Sequence, residues 1–248
     1  MYISGRNSII EAIRAGEKIE KIYVRYGTSP ENLGEIRRAA KEAGIAITTI
    51  DRRRFAETEK RAQLRSRSQG LIARIDPIDD ADIMNVIASA WETGEIPLVA
   101  ALDGVTDPHN IGAIVRSVSC AGLHGLVVPK SRSGGFTDVV ARSSAGAMHS
   151  VAIDRVADLS GTLSMLRDAG LTIYGCDESS DADYTDVDMS QPAVLVFGSE
   201  GEGISPAVRG QCDAIVAIPM TGPVGSLNVS VAAGVVMFEA RRQRAAKG

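Results

Sequence analysis

The chain has 248 residues, enough for one large domain or two smaller ones, and its 44% hydrophobic and 23% charged residues are typical of a soluble globular protein. Its longest apolar stretch, residues 229–238, is too short to span a bilayer, and the N-terminus has no apolar signal region. We therefore expect no membrane contact. The net charge of -4, taken alone, argues against a nucleic-acid partner.

The charge is divided unevenly along the chain. Residues 1–75 carry 16 Lys/Arg and 9 Asp/Glu, a net of +7, whereas the remaining 11 Lys/Arg and 22 Asp/Glu give -11. The basic residues cluster at 37–41, 52–54 and 60–67. This asymmetry predicts that the front segment meets a polyanion. Solvated helix faces explain the charge pattern equally well, because no aromatic residues are interleaved with the basic ones.

The first 75 residues predict a small α/β unit. Ile9, Ile10 and Ile13 have helical spacing within a helix over 5–16 that ends at Gly16, and a second helix over 31–43 follows Ser29-Pro30. Residues 21–25, 45–50 and 70–75 are typical of strands. We assign 1–75 to one domain and 76–96 to a linker, which contains a breaker at 76–80 and a short helix over 81–90.

Residues 97–248 alternate strands and helices regularly, which predicts a second α/β domain with a mostly parallel sheet covered on both faces. The predicted strands are 98–102, 125–128, 151–153, 171–174, 193–197 and 214–218. The predicted helices are 110–121, 137–147, 157–169, 205–210 and 228–245.

The first candidate loop of this domain is 106–116, with sequence Thr-Asp-Pro-His-Asn-Ile-Gly-Ala-Ile-Val-Arg. Asn110 is predicted to cap a helix whose apolar stripe faces the core. Gly112 lies one turn before Arg116, so it leaves room for a substrate or another backbone beside the guanidinium. The alternative is a surface arginine with a capping asparagine and a packing glycine, and this loop alone favours that alternative.

Two further loops follow predicted strands. The segment 197–203 is Phe-Gly-Ser-Glu-Gly-Glu-Gly, whose glycine spacing fits neither of the common phosphate-binding fingerprints. Its carboxylates suit ribose hydroxyls, an amine or a cationic ligand. The segment 218–230 exposes backbone groups able to bind an adenine edge, and Asn228 is predicted to cap the last helix. Each segment could equally be a simple strand-to-helix turn, but loops at strand ends are where such folds place ligands.

The cysteines and histidines indicate no metal site. Cys120, Cys176 and Cys212 are scattered, and we interpret them as partly buried free thiols in a reducing cytosol. The three histidines have no common ligand spacing. We therefore expect a cytoplasmic protein without a metal.

Taken together and in this order, the three loops resemble the SpoU/TrmH branch of the SPOUT RNA 2'-O-methyltransferases, and most of all the 23S rRNA guanosine 2'-O-methyltransferases. The residues that carry the resemblance are Asn110, Gly112 and Arg116, then Gly198, Glu200, Gly201 and Gly203, then Ile218, Pro219, Met220, Ser226, Leu227 and Asn228. Near the start of the chain, Gly5, Glu11, Ala12, Gln69 and Gly70 resemble the family's ribosomal-protein-like substrate-binding domain.

The resemblance implies a SPOUT-type parallel sheet with a C-terminal trefoil knot, a homodimer, large-subunit rRNA as the substrate and S-adenosylmethionine as the methyl donor. It implies that Arg116 is catalytic, supported by the polar residues Asn110, Glu200, Ser226 and Asn228. It also implies that the cofactor is bound by Gly198, Ile218 and Leu227 and by their neighbours Phe197, Gly203 and Met220.

The chain departs from the family pattern at three positions. Ser68 stands where a histidine is frequent, Gly225 replaces a frequent serine, and His149 replaces a frequent glutamate. These departures bear on the choice of target more than on the chemistry.

The sequence allows two interpretations of the role of Arg116. It could act as a base, although a guanidinium stays protonated near neutrality. It could instead stabilise the developing alkoxide and grip the adjacent phosphate while the proton leaves to water or to a phosphate.

The sequence is also compatible with two other functions. They are a tRNA ribose methyltransferase and a non-catalytic rRNA-binding assembly factor. A nucleotide-binding oxidoreductase is disfavoured because the dinucleotide fingerprint is absent.

Overall fold

The protein folds as two compact units, residues 1–77 and 78–248. The structure is a computed structural model and describes residues 2–62, 68–75, 78–130, 136, 138–223 and 225–247. Within these ranges, no helix combines the length and the apolar character needed to cross a membrane. The basic residues Arg65 and Arg67 and the breaker residues Asp76 and Pro77 lie outside the described residues.

The first unit is a four-stranded mixed sheet with three helices. Its elements are β1 (Tyr2–Ser4), α1 (Arg6–Arg14), β2 (Ile19–Arg25), α2 (Pro30–Glu42), β3 (Ile47–Ile50), α3 (Arg52–Arg61) and β4 (Leu71–Ile75). The strand order is β1-β4-β2-β3, and among the described strands of this unit only the β2–β3 pair is parallel. Isoleucines 9, 22 and 36 are fully buried and join the helices to the sheet.

The second unit is a six-stranded sheet with helices on both faces. Its strands are β5 (Leu98–Asp103), β6 (Gly125–Pro129), β7 (Ile153–Val156), β8 (Thr172–Cys176), β9 (Ala193–Gly198) and β10 (Ala214–Val216). Its helices are α4 (Ile83–Glu92), α5 (Pro108–Ala121), α6 (Asp138–Ser143), α7 (Leu159–Asp168), α8 (Pro206–Arg209) and α9 (Val229–Lys247), with a short 3-10 helix at Ala147–His149.

All strand pairs of this sheet are parallel, in the order β10-β8-β9-β5-β6-β7. Alternate residues of β5 enter different cores, as the period of a strand requires. Ala100 and Leu102 pack with α5, α6 and α9, whereas Val99 and Ala101 pack with α4, α7 and α8. The predicted α/β class with a parallel sheet covered on both faces is therefore confirmed.

Part of the segment predicted as a linker, 76–96, packs into the second unit. Helix α4 starts after Asp82, whose carboxylate accepts hydrogen bonds from the backbone of Met84 and Asn85. Its Ile83 and Ile87 are buried in the core beside β5 and β6. The compact second unit thus begins at Ile78 rather than at residue 97.

Candidate functional site

The second loop is a tight glycine turn at the end of β9. Ser199 and Gly203 exchange two backbone hydrogen bonds of 3.0 Å. Gly201 and Gly203 have φ angles of 90° and 66°, which favour glycine. A Cβ atom on Gly198 would lie 2.2 Å from the carbonyl carbon of Gly203. The turn therefore folds back on its own strand so closely that residue 198 has no room for a side chain.

This turn borders a cavity of about 740 Å³ at the carboxyl ends of β8, β9 and β10. The six residues predicted to bind the cofactor all line it, namely Phe197, Gly198, Gly203, Ile218, Met220 and Leu227. Glu200, Ser226 and Asn228 line it as well. The second and third loops thus form one cavity. Val224, within the third loop, lies outside the described residues.

A hydrogen-bonded cluster of Asn110, Glu200 and Asn228 joins all three loops. The side-chain amides of Asn110 and Asn228 donate to Glu200 Oε1 at 3.0 and 2.6 Å. Asn228 Nδ2 also lies 3.0 Å from Asn110 Oδ1. The three sequence motifs therefore meet in space, although 118 positions separate the two asparagines.

The two asparagines occupy different positions in their helices. Asn228 precedes α9, and its Oδ1 accepts from the backbone N–H and the hydroxyl of Ser230, so the predicted cap is confirmed. The predicted cap at Asn110 is wrong. Asp107 caps α5 by accepting from His109 N, and Pro108 starts the helix. Asn110 is one turn inside, buried, with its amide directed to Glu200.

Of the two possibilities predicted for Gly112, room for a substrate or room for another backbone, the structure shows the second. A Cβ atom there would meet the side chain of Ser143 and would lie 3.0 Å from the backbone carbonyl of Val140. The glycine is fully enclosed because α6 packs directly on α5. Gly112 therefore serves the second possibility, the close approach of another backbone.

Arg116 lies outside the cavity. Its side chain is exposed on α5 and has no hydrogen bond or ion pair with any residue that the structure describes. The next residue, Ser117, faces Gly234 of α9, where a Cβ would be 3.7 Å from its hydroxyl. Arg116 is thus an exposed residue of α5, next in sequence to a residue that faces α9.

The structure adds a second polar cluster at the cavity, which the sequence analysis missed. Asp177, just after β8, accepts hydrogen bonds from the backbone and hydroxyl of Ser179 and pairs with Arg209 at 3.2 Å. Burial alone would raise the pKa of Asp177, but hydrogen bonds from Ser179 and from Ile204 N, with the Arg209 charge, outweigh it and lower that pKa. The available signal was an acidic residue directly following an apolar strand.

Burial makes two of the three cysteines, Cys176 and Cys212, poor nucleophiles. Cys176 and Cys212 are partly buried, whereas Cys120 is exposed, which departs from the prediction of three partly buried thiols. Burial raises the pKa of Cys176 strongly and that of Cys212 to about 11. Among the described residues, no group of three or more His, Cys, Asp or Glu side chains is arranged to hold a metal ion.

Two family models match the chain. Residues 97–238 match the SpoU rRNA Methylase family, and residues 2–81 match the RNA 2'-O ribose methyltransferase substrate binding model. Together they cover both units.

Curated relatives match along nearly the whole chain. The putative TrmH family tRNA/rRNA methyltransferase YacO of Bacillus subtilis (strain 168) is 34% identical over 98% of this chain and 96% of that protein. An uncharacterized tRNA/rRNA methyltransferase of Mycolicibacterium smegmatis is 42% identical over 98% of this chain and 76% of that protein.

A solved structure with bound cofactor shares the fold. The SpoU methyltransferase AviRb from Streptomyces viridochromogenes, in complex with AdoMet, is 27% identical, with a TM-score of 0.63 over 99% of this chain and 91% of that chain. The family match and the AdoMet complex of that relative support S-adenosylmethionine as the cofactor. The chain belongs to the SpoU family and is an S-adenosylmethionine-dependent RNA 2'-O-ribose methyltransferase.

Proposed function

We propose that this enzyme methylates a ribose 2'-hydroxyl of large-subunit rRNA, with a guanosine of 23S rRNA as the target. The observation that carries the proposal is the cavity formed by the second and third loops, together with the hydrogen-bonded cluster that joins the first loop to them. The rRNA target is supported by the family description and by the basic first unit. A tRNA ribose is the second candidate, because the named relatives are described as tRNA/rRNA methyltransferases.

The residues present fit S-adenosylmethionine. The cavity has the size of ordinary cofactor sites, with Phe197 and Val236 on its apolar wall and Asp177, Glu178 and Glu202 as acidic groups suited to a cationic ligand. We assign the backbone of Gly198, Ile218 and Leu227 to hydrogen bonding, and we assign Phe197, Gly203 and Met220 to the walls. When bound, the cofactor supplies a methyl group on a sulfonium.

We assign catalysis to Arg116 with Asn110, Glu200, Ser226 and Asn228. The hydrogen bonds of Glu200 fix the third loop against the start of α5, so Ser226 is presented at the cavity mouth. Arg116 has no carboxylate partner among the described residues, so its guanidinium is available to an anion. We favour stabilisation of the developing alkoxide and grip of the adjacent phosphate, with a base role as the alternative.

We propose that the enzyme is a homodimer. Val231, Val235 and Phe238 lie at helical spacing on α9 and are 50%, 36% and 48% exposed. Such an apolar stripe is typical of an interface. Arg116 is exposed on α5, next in sequence to Ser117, which faces α9, and it does not line the cavity of its own chain. A second copy on this surface offers a route by which Arg116 of one chain serves the cavity of the other.

We propose that RNA binding and methyl transfer belong to different units. Residues 1–75 bind the RNA and 97–248 carry out methyl transfer in the cytoplasm, while 76–96 runs between them and contributes α4 to the core of the second unit. The basic excess of the first unit and its match to the substrate-binding model support the division. A non-catalytic assembly factor would have little use for the intact cavity.

Arg116→Ala tests the catalytic assignment. With tritiated S-adenosylmethionine and rRNA, we expect turnover to fall by about 100-fold or more, because an alkoxide loses its stabilising cation. Cofactor affinity measured by calorimetry should stay unchanged. Arg116→Lys, which keeps the charge, should retain more turnover than alanine if the role is electrostatic.

Arg167→Ala is the matched control, since Arg167 lies on α7 and, among the described residues, its side chain hydrogen-bonds a backbone carbonyl, that of Gln211. Unchanged turnover in Arg116→Ala would remove this residue from the mechanism. Mapping 2'-O-methyl sites in rRNA and tRNA from a deletion strain decides the target: a missing tRNA site with complete rRNA would overturn the rRNA assignment.

A further inference from the structure

One edge of the sheet in the first unit gathers strand ends from all four strands. Strands β2 and β3 run parallel and finish side by side at Arg25 and Ile50. Strand β4 runs antiparallel to β2 and begins there, with Arg25 N donating to Gly70 O. Strand β1, antiparallel to β4, ends at the same edge, with Gly5 N donating to Leu71 O.

The residues at this edge form a row that we call the arginine–tyrosine edge. It consists of Arg6 after β1, Gln69 before β4, Tyr26 after β2, and Arg52, Arg53 and Arg54 after β3. The strand order fixes their sequence along the edge, and three strand spacings give it a length of about 15 Å. The backbone N–H of Arg6 donates to Gln69 Oε1 at 3.3 Å, and Tyr26 N donates to Ile50 O at 2.8 Å.

Tyr26 stands out because its side chain is 73% exposed. Its backbone pairs with Ile50, two residues before the basic cluster of α3 begins. Tyr26 is therefore an aromatic neighbour of the arginines that the linear sequence pattern did not reveal. The pairing of β2 with β3, rather than proximity in sequence, brings the tyrosine and the arginines together. Proteins commonly bind unpaired nucleotides through exposed aromatic rings that lie beside cationic groups.

The arginines are held outward by their own helix. Phe55 is buried against β2, and the Arg25 guanidinium lies 5.9 Å from its ring centroid. This packing fixes α3 and leaves the Arg53 and Arg54 side chains 90% and 77% exposed. Arg52 is exposed and has no hydrogen bond or ion pair within the described part of the chain.

The local charge favours a polyanion. Asp51, which caps α3, lies 3.8 Å from Arg54, and Glu57 lies 3.2 Å from Arg53. These exposed pairs are weak and exchange readily for phosphate contacts. Glu59 of α3 is hydrogen-bonded to Ser68, beside Gln69. The four arginines of the edge outnumber these three carboxylates.

We propose that the arginine–tyrosine edge binds an unpaired stretch of the substrate RNA, with Tyr26 stacking on a base and Arg52 and Arg53 contacting phosphates. The inference rests on the RNA methyltransferase function proposed above and names the surface and the RNA form that it uses. Contacts to phosphates position the strand without reading sequence. The unpaired form is required because a ring can stack only on a base that is splayed from its helix.

The test measures binding of a short fluorescein-labelled oligouridine RNA, and of an RNA duplex of equal length, by fluorescence anisotropy with the full-length protein. Tyr26→Ala should weaken single-strand binding by about 10-fold, whereas Tyr26→Phe, which keeps the ring, should stay within about 2-fold of wild type. Arg52→Ala/Arg53→Ala should also weaken it and should reduce the slope of log affinity against log salt by about 1.4, since two phosphate contacts are lost.

Arg37→Ala/Arg38→Ala is the matched control, because it removes the same charge from the middle of α2 in the same unit. Thermal unfolding checks that each variant is folded. Equal losses in the two double variants would overturn the assigned surface, since only net charge would then matter. Duplex binding as tight as single-strand binding, unaffected by Tyr26→Ala, would overturn the stacking role.

The same samples separate this inference from the proposed function. Methylation of rRNA by the wild type, together with unchanged RNA affinity in the edge variants, overturns the surface and leaves the function standing. A wild type that methylates neither rRNA nor tRNA, with edge variants that still lose RNA affinity, overturns the function and leaves the surface standing.

Discussion

Gly198 shows how a single missing side chain shapes the cavity. Its position against the backbone of Gly203 and Ile204 leaves less than 3 Å for a Cβ atom. Backbone on the other side cannot move aside as a flexible side chain would. The glycine turn can therefore fold back onto β9 only if residue 198 has no side chain.

Gly198→Ala should abolish or strongly weaken cofactor binding, because the turn must open to make room for the alanine side chain. We expect the affinity for S-adenosylmethionine in calorimetry to fall by about 10-fold or more. Gly222→Ala is the control, since nothing lies within 4 Å of its Cβ position and it has no positive φ. Equal affinity in the two variants would show that the turn accommodates a side chain without consequence.

The sequence could identify which residues meet at the site, but not how each one packs. Asn110, Glu200 and Asn228 were chosen as motif residues, and they are hydrogen-bonded to one another. The cap at Asp107 was missed because Asp107 and Asn110 are both good capping residues, and Pro108 decides between them. The role of Gly112 depends on α6, which no local pattern connects to α5.

At the scale of elements, apolar periodicity predicted the central strands well and the charged elements poorly. Strands β5 and β9 are buried along their length and read as apolar runs. Strand β7, predicted at 151–153, lies at 153–156 on the edge of the sheet. There the Asp154 carboxylate accepts a hydrogen bond from Ile83 N, and Arg155 pairs with Asp80. Edge strands need no continuous apolar run.

Helix α3 and strand β1 were missed for related reasons. Helix α3 has Phe55 as its buried large apolar residue, so it shows no apolar stripe, although Asp51 caps it. Strand β1 has three residues, too few for a period to appear. Helix α6 ends at Ser143, earlier than the predicted 147, because Ala145 and Gly146 adopt left-handed backbone angles.

Arg244 holds α9 to the sheet through backbone carbonyls rather than through a carboxylate. Its guanidinium donates to Met189, Pro97 and Gln191 at 3.1, 3.0 and 2.7 Å, and also to the carbonyl of Ile96. Burial lowers the pKa of Arg244 to about 10, so the group stays charged at neutral pH. One side chain therefore joins the last helix to the start of β5 and to the segment before β9.

Arg244→Ala should destabilise the protein by about 2–4 kcal/mol, because it leaves several carbonyls without their charged donor. Chemical denaturation measures the change. Arg242→Ala serves as the control: its side chain is 66% exposed, and its partner Glu239 keeps a hydrogen bond from Gln243. A loss of stability as large for Arg242→Ala as for Arg244→Ala would contradict the assigned role.

At the scale of the whole molecule, the division into two units was visible in charge and composition, whereas the exact boundary was not. Residues 76–80 are predicted to break regular structure, and the sequence boundary between the two compact units falls between residues 77 and 78. Helix α4 looked like part of a linker because it is short and flanked by breaking residues. Its membership in the second unit depends on Ile83 and Ile87 finding β5 and β6, a long-range contact.

The apolar stripe of α9 gives a molecular-scale prediction. The opposite face of this helix is anchored by Val229, Ala233, Val236, Met237 and Ala240, so a charge on the exposed face should leave the fold intact. Phe238→Asp removes the most bulky residue of the stripe, and each buried copy of such a side chain contributes about 1.5–3 kcal/mol. Because a two-fold interface contains two copies, we expect the dimer dissociation constant to rise by about 100-fold or more.

Analytical ultracentrifugation over a range of concentrations measures this shift. Met165→Asp is the control, because Met165 is 53% exposed on α7 and is not part of the stripe. Because the proposed dimer lets Arg116 of one chain serve the cavity of the other, rRNA methylation should fall with the dimer fraction in Phe238→Asp and stay unchanged in Met165→Asp. A monomeric wild type that methylates rRNA at full rate would reject the homodimer, and Arg116 would then have to reach the cavity of its own chain.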